Sequence, residues 1–88
     1  MILDLGKRRL IKARVIYDLS PVETRIISLL SNQTFNSIKD IRTFCYKNAK
    51  ISDEAIKQKV TQTRDRYHLV GTVNNYGARF RSEIEIRE

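Results

Sequence analysis

Eighty-eight residues suffice for one small domain and are too few for two, and the composition, 41% hydrophobic and 31% charged with three Gly and one Pro, is that of a folding chain and not of a linker, a collagen or a disordered segment. Seventeen Lys and Arg against ten Asp and Glu leave a net charge of +7, which favours an anionic partner such as nucleic acid or an acidic surface. A single cysteine, Cys45, excludes an internal disulfide and a multi-cysteine zinc cluster and fits a reducing compartment, and a single histidine, His68, excludes a His-rich metal site. The longest apolar runs, around Ile26-Ile27 and Leu29-Leu30, fall far short of the roughly 20 residues of a bilayer span. Lys7, Arg8 and Arg9 follow the apolar start instead of preceding it, unlike a secretory signal. The expectation is one cytoplasmic domain, residues 1–88, with no membrane contact and no cofactor.

In chain order, apolar runs at Ile2 to Leu5, around Leu10-Ile11 and at Val15 to Leu19, separated by turn candidates at Gly6 and Lys12 to Arg14, predict two or three short antiparallel strands. Leu19-Ser20-Pro21-Val22-Glu23 then combines a cap serine, proline at the first helical position and Glu three residues after the Ser, which predicts a capping box. Val22, Ile26, Ile27, Leu29 and Leu30 make its apolar stripe, and Asn32-Gln33 closes the helix. Ser37 and Asp40 start a second helix running to about Tyr46 or Lys47, with Ile38, Ile41, Phe44 and Cys45 at helical spacing. Ser52 starts a third, with Asp53 and Glu54 favourable at its N-terminus and Ile56, Val60, Thr63 and Tyr67 facing inward. At about 100° per residue, Glu54, Gln58, Thr61, Gln62 and Asp65 face outward, flanked by Lys57 and Arg64 on one side and Lys59 and Arg66 on the other. Leu69 to Val73 and Ala78 to Ser82 then read as a hairpin about Asn74-Asn75-Tyr76-Gly77, whose Asn and Gly residues tolerate positive φ.

Strands, three helices and a hairpin in that order form the layout of an α+β winged helix-turn-helix, in which the third helix, about 53–67, can enter a DNA major groove and the hairpin, about 69–82, can touch the flanking backbone or minor groove. The sequence resembles the OmpR/PhoB-type winged-helix DNA-binding domain and its relatives among the ToxR and TcpP class of membrane-anchored transcriptional activators. Leu19 to Glu23 is similar to the family's LTPxE start, and Ser37 to Tyr46 to its SREELLxxVW helix, with Tyr46 at the Trp. Ile51 to Tyr67 follows vSdrTVdvhIxxLRxKL, and Thr72-Val73, Gly77 and Arg79-Phe80 match TVRGxGYRF. The departures are Asn74 at the hairpin's usual Arg, Asn75 at a Gly, Ala78 at a Tyr and Thr63 at a buried Leu.

The resemblance implies a bacterial-type transcription regulator, monomeric in solution and paired in tandem on double-stranded DNA. Its loop at residues 47–51 corresponds to one that can contact RNA polymerase, and a longer parent protein could carry a membrane anchor. Gln58 and Gln62 are the first candidates for base contacts, because an amide can pair bidentately with adenine, followed by Thr61 on the same face and Lys57 at its edge. Tyr46, Lys47, Ser52, Arg64 and Arg79 are candidates for the DNA backbone, and Asn74, Asn75 and Tyr76 form the hairpin tip. Most of the positive charge lies elsewhere: residues 51–67 carry four cations and three anions, residues 1–50 ten and four. Cys45 reads as a core residue, and no pairing of Cys45 with His68 has an activating third group, so enzymatic function has the least support. The competing reading is a winged helix that docks a protein partner, which the missing hairpin Arg would permit.

Overall fold

Three serines start three helices. Ser20, Ser37 and Ser52 hold extended backbone, and their hydroxyl oxygens accept the amides of Glu23, Asp40 and Ala55, each at 3.1 Å. Each such cap satisfies an amide the helix leaves free and contributes about 1 kcal/mol. The structure, a computed structural model, describes residues 1–47 and 49–88. Its order is β1 Ile2–Asp4, β2 Arg9–Lys12, β3 Val15–Asp18, α1 Pro21–Leu30, β4 Asn36–Ser37, α2 Ile38–Tyr46, α3 Asp53–Arg66, β5 Gly71–Val73, β6 Gly77–Phe80 and β7 Glu85–Arg87. This is an α+β fold with three helices and two sheets.

The sheets differ from the expected layout. The N-terminal strands do pair antiparallel, but β7 adds to β1 in parallel, giving the order β3-β2-β1-β7. The C-terminal hairpin is not alone either: β4 pairs with β6, giving β4-β6-β5. Neither added strand carries a local signal, since β4 is only two polar residues and β7 lies in a charge-rich tail; both form because a sheet edge offers unpaired backbone groups. Nor do Asn and Gly make the hairpin turn through positive φ. Asn74 Oδ1 instead accepts the amides of Tyr76 at 2.8 Å and Gly77 at 3.2 Å, so the side chain builds the turn. Glycine is needed at position 77 for another reason: a Cβ there would lie 1.9 Å from the Asn36 carbonyl oxygen of β4.

The core joins Leu3 and Leu10 of the first sheet to Ile26, Ile27 and Leu30 of α1, Ile41 and Cys45 of α2, Ile56 and Val60 of α3 and Phe80 of β6, all fully buried. Thr63 is buried too and donates its hydroxyl hydrogen to the Lys59 carbonyl at 2.8 Å, which lets a polar residue sit in the apolar stripe of α3. Phe44 departs from its expected inward position and is 49% exposed. On α2 the buried stripe is Ile38, Ile41 and Cys45, and residue 44 lies roughly 100° off its centre. The helices are fastened at their ends. Arg42 of α2 donates to the Ile51 carbonyl at 3.0 Å and to Asp53, and Lys12 of β2 donates to the Tyr67 and His68 carbonyls at 3.4 and 3.2 Å, completing the C-terminus of α3. His68 lies just past this end of α3 with a left-handed φ of 55°.

Candidate nucleic-acid interface

Because Ile56, Val60, Thr63 and Tyr67 turn one side of α3 into the core, the opposite side is left to solvent. On that ridge Gln58 and Gln62, one turn apart, are exposed, and among the described residues neither amide has an intramolecular hydrogen-bond partner. An open groove lies on each side of them. One, of about 540 Å³, runs between α3 and the β5–β6 hairpin and is lined by Glu54, Lys57, Gln58, Thr61, Gln62, Val73, Asn74 and Asn75. The other, of about 410 Å³, is lined by Ser20, Val22, Tyr46, Ile51, Ala55 and Lys59 with the same two glutamines. Four N–H donors and two acceptor oxygens on two unengaged amides therefore project between two open grooves, a geometry suited to hydrogen bonding along an edge presented from outside.

The hairpin is tied to the helices. Lys57 Nζ donates to Asn75 Oδ1 at 2.7 Å and pairs with Glu54 at 2.9 Å, so this cation spans from α3 to the hairpin tip. On the other flank the Ile38 amide, at the start of α2, donates to the Tyr76 carbonyl at 3.0 Å. The Tyr76 side chain is 80% exposed at the tip. All three tip residues are exposed; Asn74 uses its Oδ1 in the turn and Asn75 its Oδ1 on Lys57, while the Tyr76 ring is the large apolar group at the tip.

The remaining site candidates separate by position. Ser52 caps α3 through its hydroxyl oxygen, and Thr61 is half-buried in the hairpin groove. Arg64 is folded back, donating to Asp65 at 3.0 Å and reaching the Gly71 carbonyl at 3.5 Å, so it braces β5. Arg79 of β6 is half-buried, and Lys47 is exposed with a left-handed φ of 52° at the end of α2. Tyr46 is half-buried in the second groove, where burial and the neighbouring Cys45 raise its pKa and keep its hydroxyl a neutral donor. The loop assigned to polymerase contact includes Asn48, outside the described residues. Lys59, in the groove away from the hairpin, was seen in sequence only as a flank of the outward face. What finds it is α1: Ser20 and Val22 wall the same groove.

Burial pushes the Cys45 thiol up to about 12, so no thiolate is available near neutral pH. Among the described residues no three His, Cys, Asp or Glu side chains cluster as a metal site would need, and no helix is long and apolar enough to cross a membrane. No protein-family model, curated protein or solved structure matches the chain.

Proposed function

We propose that the chain is a winged-helix module that binds double-stranded DNA sequence-specifically as part of a bacterial-type transcription regulator, with α3 in the major groove and the β5–β6 hairpin as the wing. The observation that carries this is the pair of unengaged amides, Gln58 and Gln62, on the exposed ridge of α3 between two open grooves. A major groove about 12 Å wide admits a helix, and Gln reads the N6/N7 edge of adenine. The net charge of +7 supplies attraction to phosphate, with Lys47, Lys59, Tyr46 and Arg79 flanking the helix as backbone contacts. The role is binding and not catalysis. Under this reading the chain works in the cytoplasm, alone or as the cytoplasmic part of a longer inner-membrane regulator, and the loop at residues 47–51 is the candidate contact for RNA polymerase.

The second reading, a module that docks a protein, is favoured by the tip itself, where the side-chain oxygens of Asn74 and Asn75 are engaged internally and the large aromatic ring of Tyr76 is 80% exposed. Adding duplex DNA to the isotope-labelled protein separates the two. Under the DNA reading, the side-chain amide signals of Gln58 and Gln62 and the amides of residues 72–77 shift together. Shifts absent from α3 would favour the protein-docking reading.

A further inference from the structure

We infer that the chain self-associates into a two-fold dimer through the free edge of β3, which pairs antiparallel with β3 of a second copy about Ile16. This inference does not depend on the DNA reading, and it departs from the monomer expected from the sequence. β3 is an outer strand of the four-stranded sheet, and it carries Val15 and Ile16, 49% and 59% exposed. The opposite edge, β7, is three residues long and sets its one exposed apolar residue, Ile86, between Glu85 and Arg87. β3 instead places Val15, Ile16 and Tyr17 in succession with no charge among them.

Backbone geometry selects the residues that can pair. The Leu19 amide donates to the Arg8 carbonyl at 2.9 Å, in line with the Arg9–Asp18 and Leu10–Tyr17 register of β2 and β3. In an antiparallel ladder alternate residues turn both backbone groups to the same neighbour, so Leu19, Tyr17 and Val15 face β2 while Ile16 and Asp18 present theirs at the free edge. Pairing Ile16 with Ile16 of the second copy joins outward groups to outward groups. The same register sets Arg14, one residue before the strand, beside Asp18 of the second copy, twice by symmetry, so that each Asp18 carboxylate, which accepts from Arg9 of its own chain at 3.2 Å, gains a second cation; only the uncharged Val15, Ile16 and Tyr17 lie between the two charge pairs. It also extends a row already present on the sheet face. Ile2, Ile11 and Ile16 lie in register across β1, β2 and β3, and the dimer doubles that row. A shift by two residues in either direction would lose both the charge pairing and the isoleucine row.

The test is sedimentation equilibrium on the full chain up to about 1 mM, a range chosen for the weak association that a short strand can give. Wild type is expected to rise from monomer mass towards twice that mass. Arg14→Glu sets Glu against Asp18 of its own kind, and Asp18→Lys sets Lys against Arg14, so each variant alone is expected to stay monomeric. An equal mixture restores two opposite-charge pairs and is expected to dimerise as wild type does, which also shows that both variants are folded. A wild type that remains monomeric to 1 mM, variants that dimerise alone, or a mixture that stays monomeric would each overturn the inference.

Discussion

Glu23, in the first turn of α1, accepts the hydroxyl hydrogen of Tyr67, just past the end of α3, at 3.0 Å. The same carboxylate accepts from Arg66 at 3.0 Å and from the Ser20 amide at 3.0 Å, so one buried side chain closes the cap of α1 and pins the far end of α3. Burial raises its pKa, but the Ser20 amide, the Tyr67 and Ser20 hydroxyls and the charge of Lys59 outweigh burial and leave it lowered. A carboxyl whose pKa is lowered by folding contributes stability above its unfolded value, near 4.5, and loses it as pH falls through the folded value. Urea midpoints should therefore hold steady above pH 5 and decline below about 4.5, and Glu23→Gln should flatten that decline while lowering the unfolding free energy at neutral pH by about 1–3 kcal/mol.

Ile56, fully buried between α3 and the rest of the core, tests the phase of the proposed reading helix. Ile56→Ala should cost about 2–5 kcal/mol, a large share of the stability of a domain this small, and should lower the melting temperature accordingly. An unchanged melting temperature would mean that α3 presents a different face to solvent.

Gly77 tests the three-stranded sheet. Because an added Cβ would meet the Asn36 carbonyl at 1.9 Å, Gly77→Ala should separate β4 from β6 and loosen the hairpin tip at α2. Hydrogen exchange should accelerate at Ile38, whose amide is bound to Tyr76, and at Ala78, while Ile11 in the other sheet keeps its protection.

Much of this was written locally in the chain and some was not. Ser20, Pro21 and Glu23 predict the start of α1 because a cap is a bond between near neighbours, and the inward positions Ile56, Val60, Thr63 and Tyr67 follow from a single helical period. Phe44 shows where periodicity is too coarse, since one apolar position at the border of a stripe can fall on either side. β4 and β7 were invisible because an added strand is specified by the edge it joins and not by its own residues. The glutamine ridge was legible as a face of α3, whereas the Lys57–Asn75 and Glu23–Tyr67 bonds join residues 18 and 44 positions apart and required the fold.

Base reading and backbone anchoring should separate by mutation. Gln58→Ala or Gln62→Ala should cost about 1–3 kcal/mol on the preferred duplex and relax discrimination at one or two base pairs. Lys47→Ala or Arg79→Ala should weaken all duplexes alike and reduce the salt slope by about one unit. Gln variants that lose affinity equally on preferred and random duplexes would move the reading role to the Asn74-Asn75-Tyr76 tip.

The most direct measurement for the central claim is a titration of the protein with duplex DNA across a range of salt concentrations. If about five phosphates are neutralised, log affinity should fall with log salt at a slope of roughly −4 to −5, with binding readily measured at low salt. Affinity that stays flat as salt rises, or no binding at low salt, would contradict it.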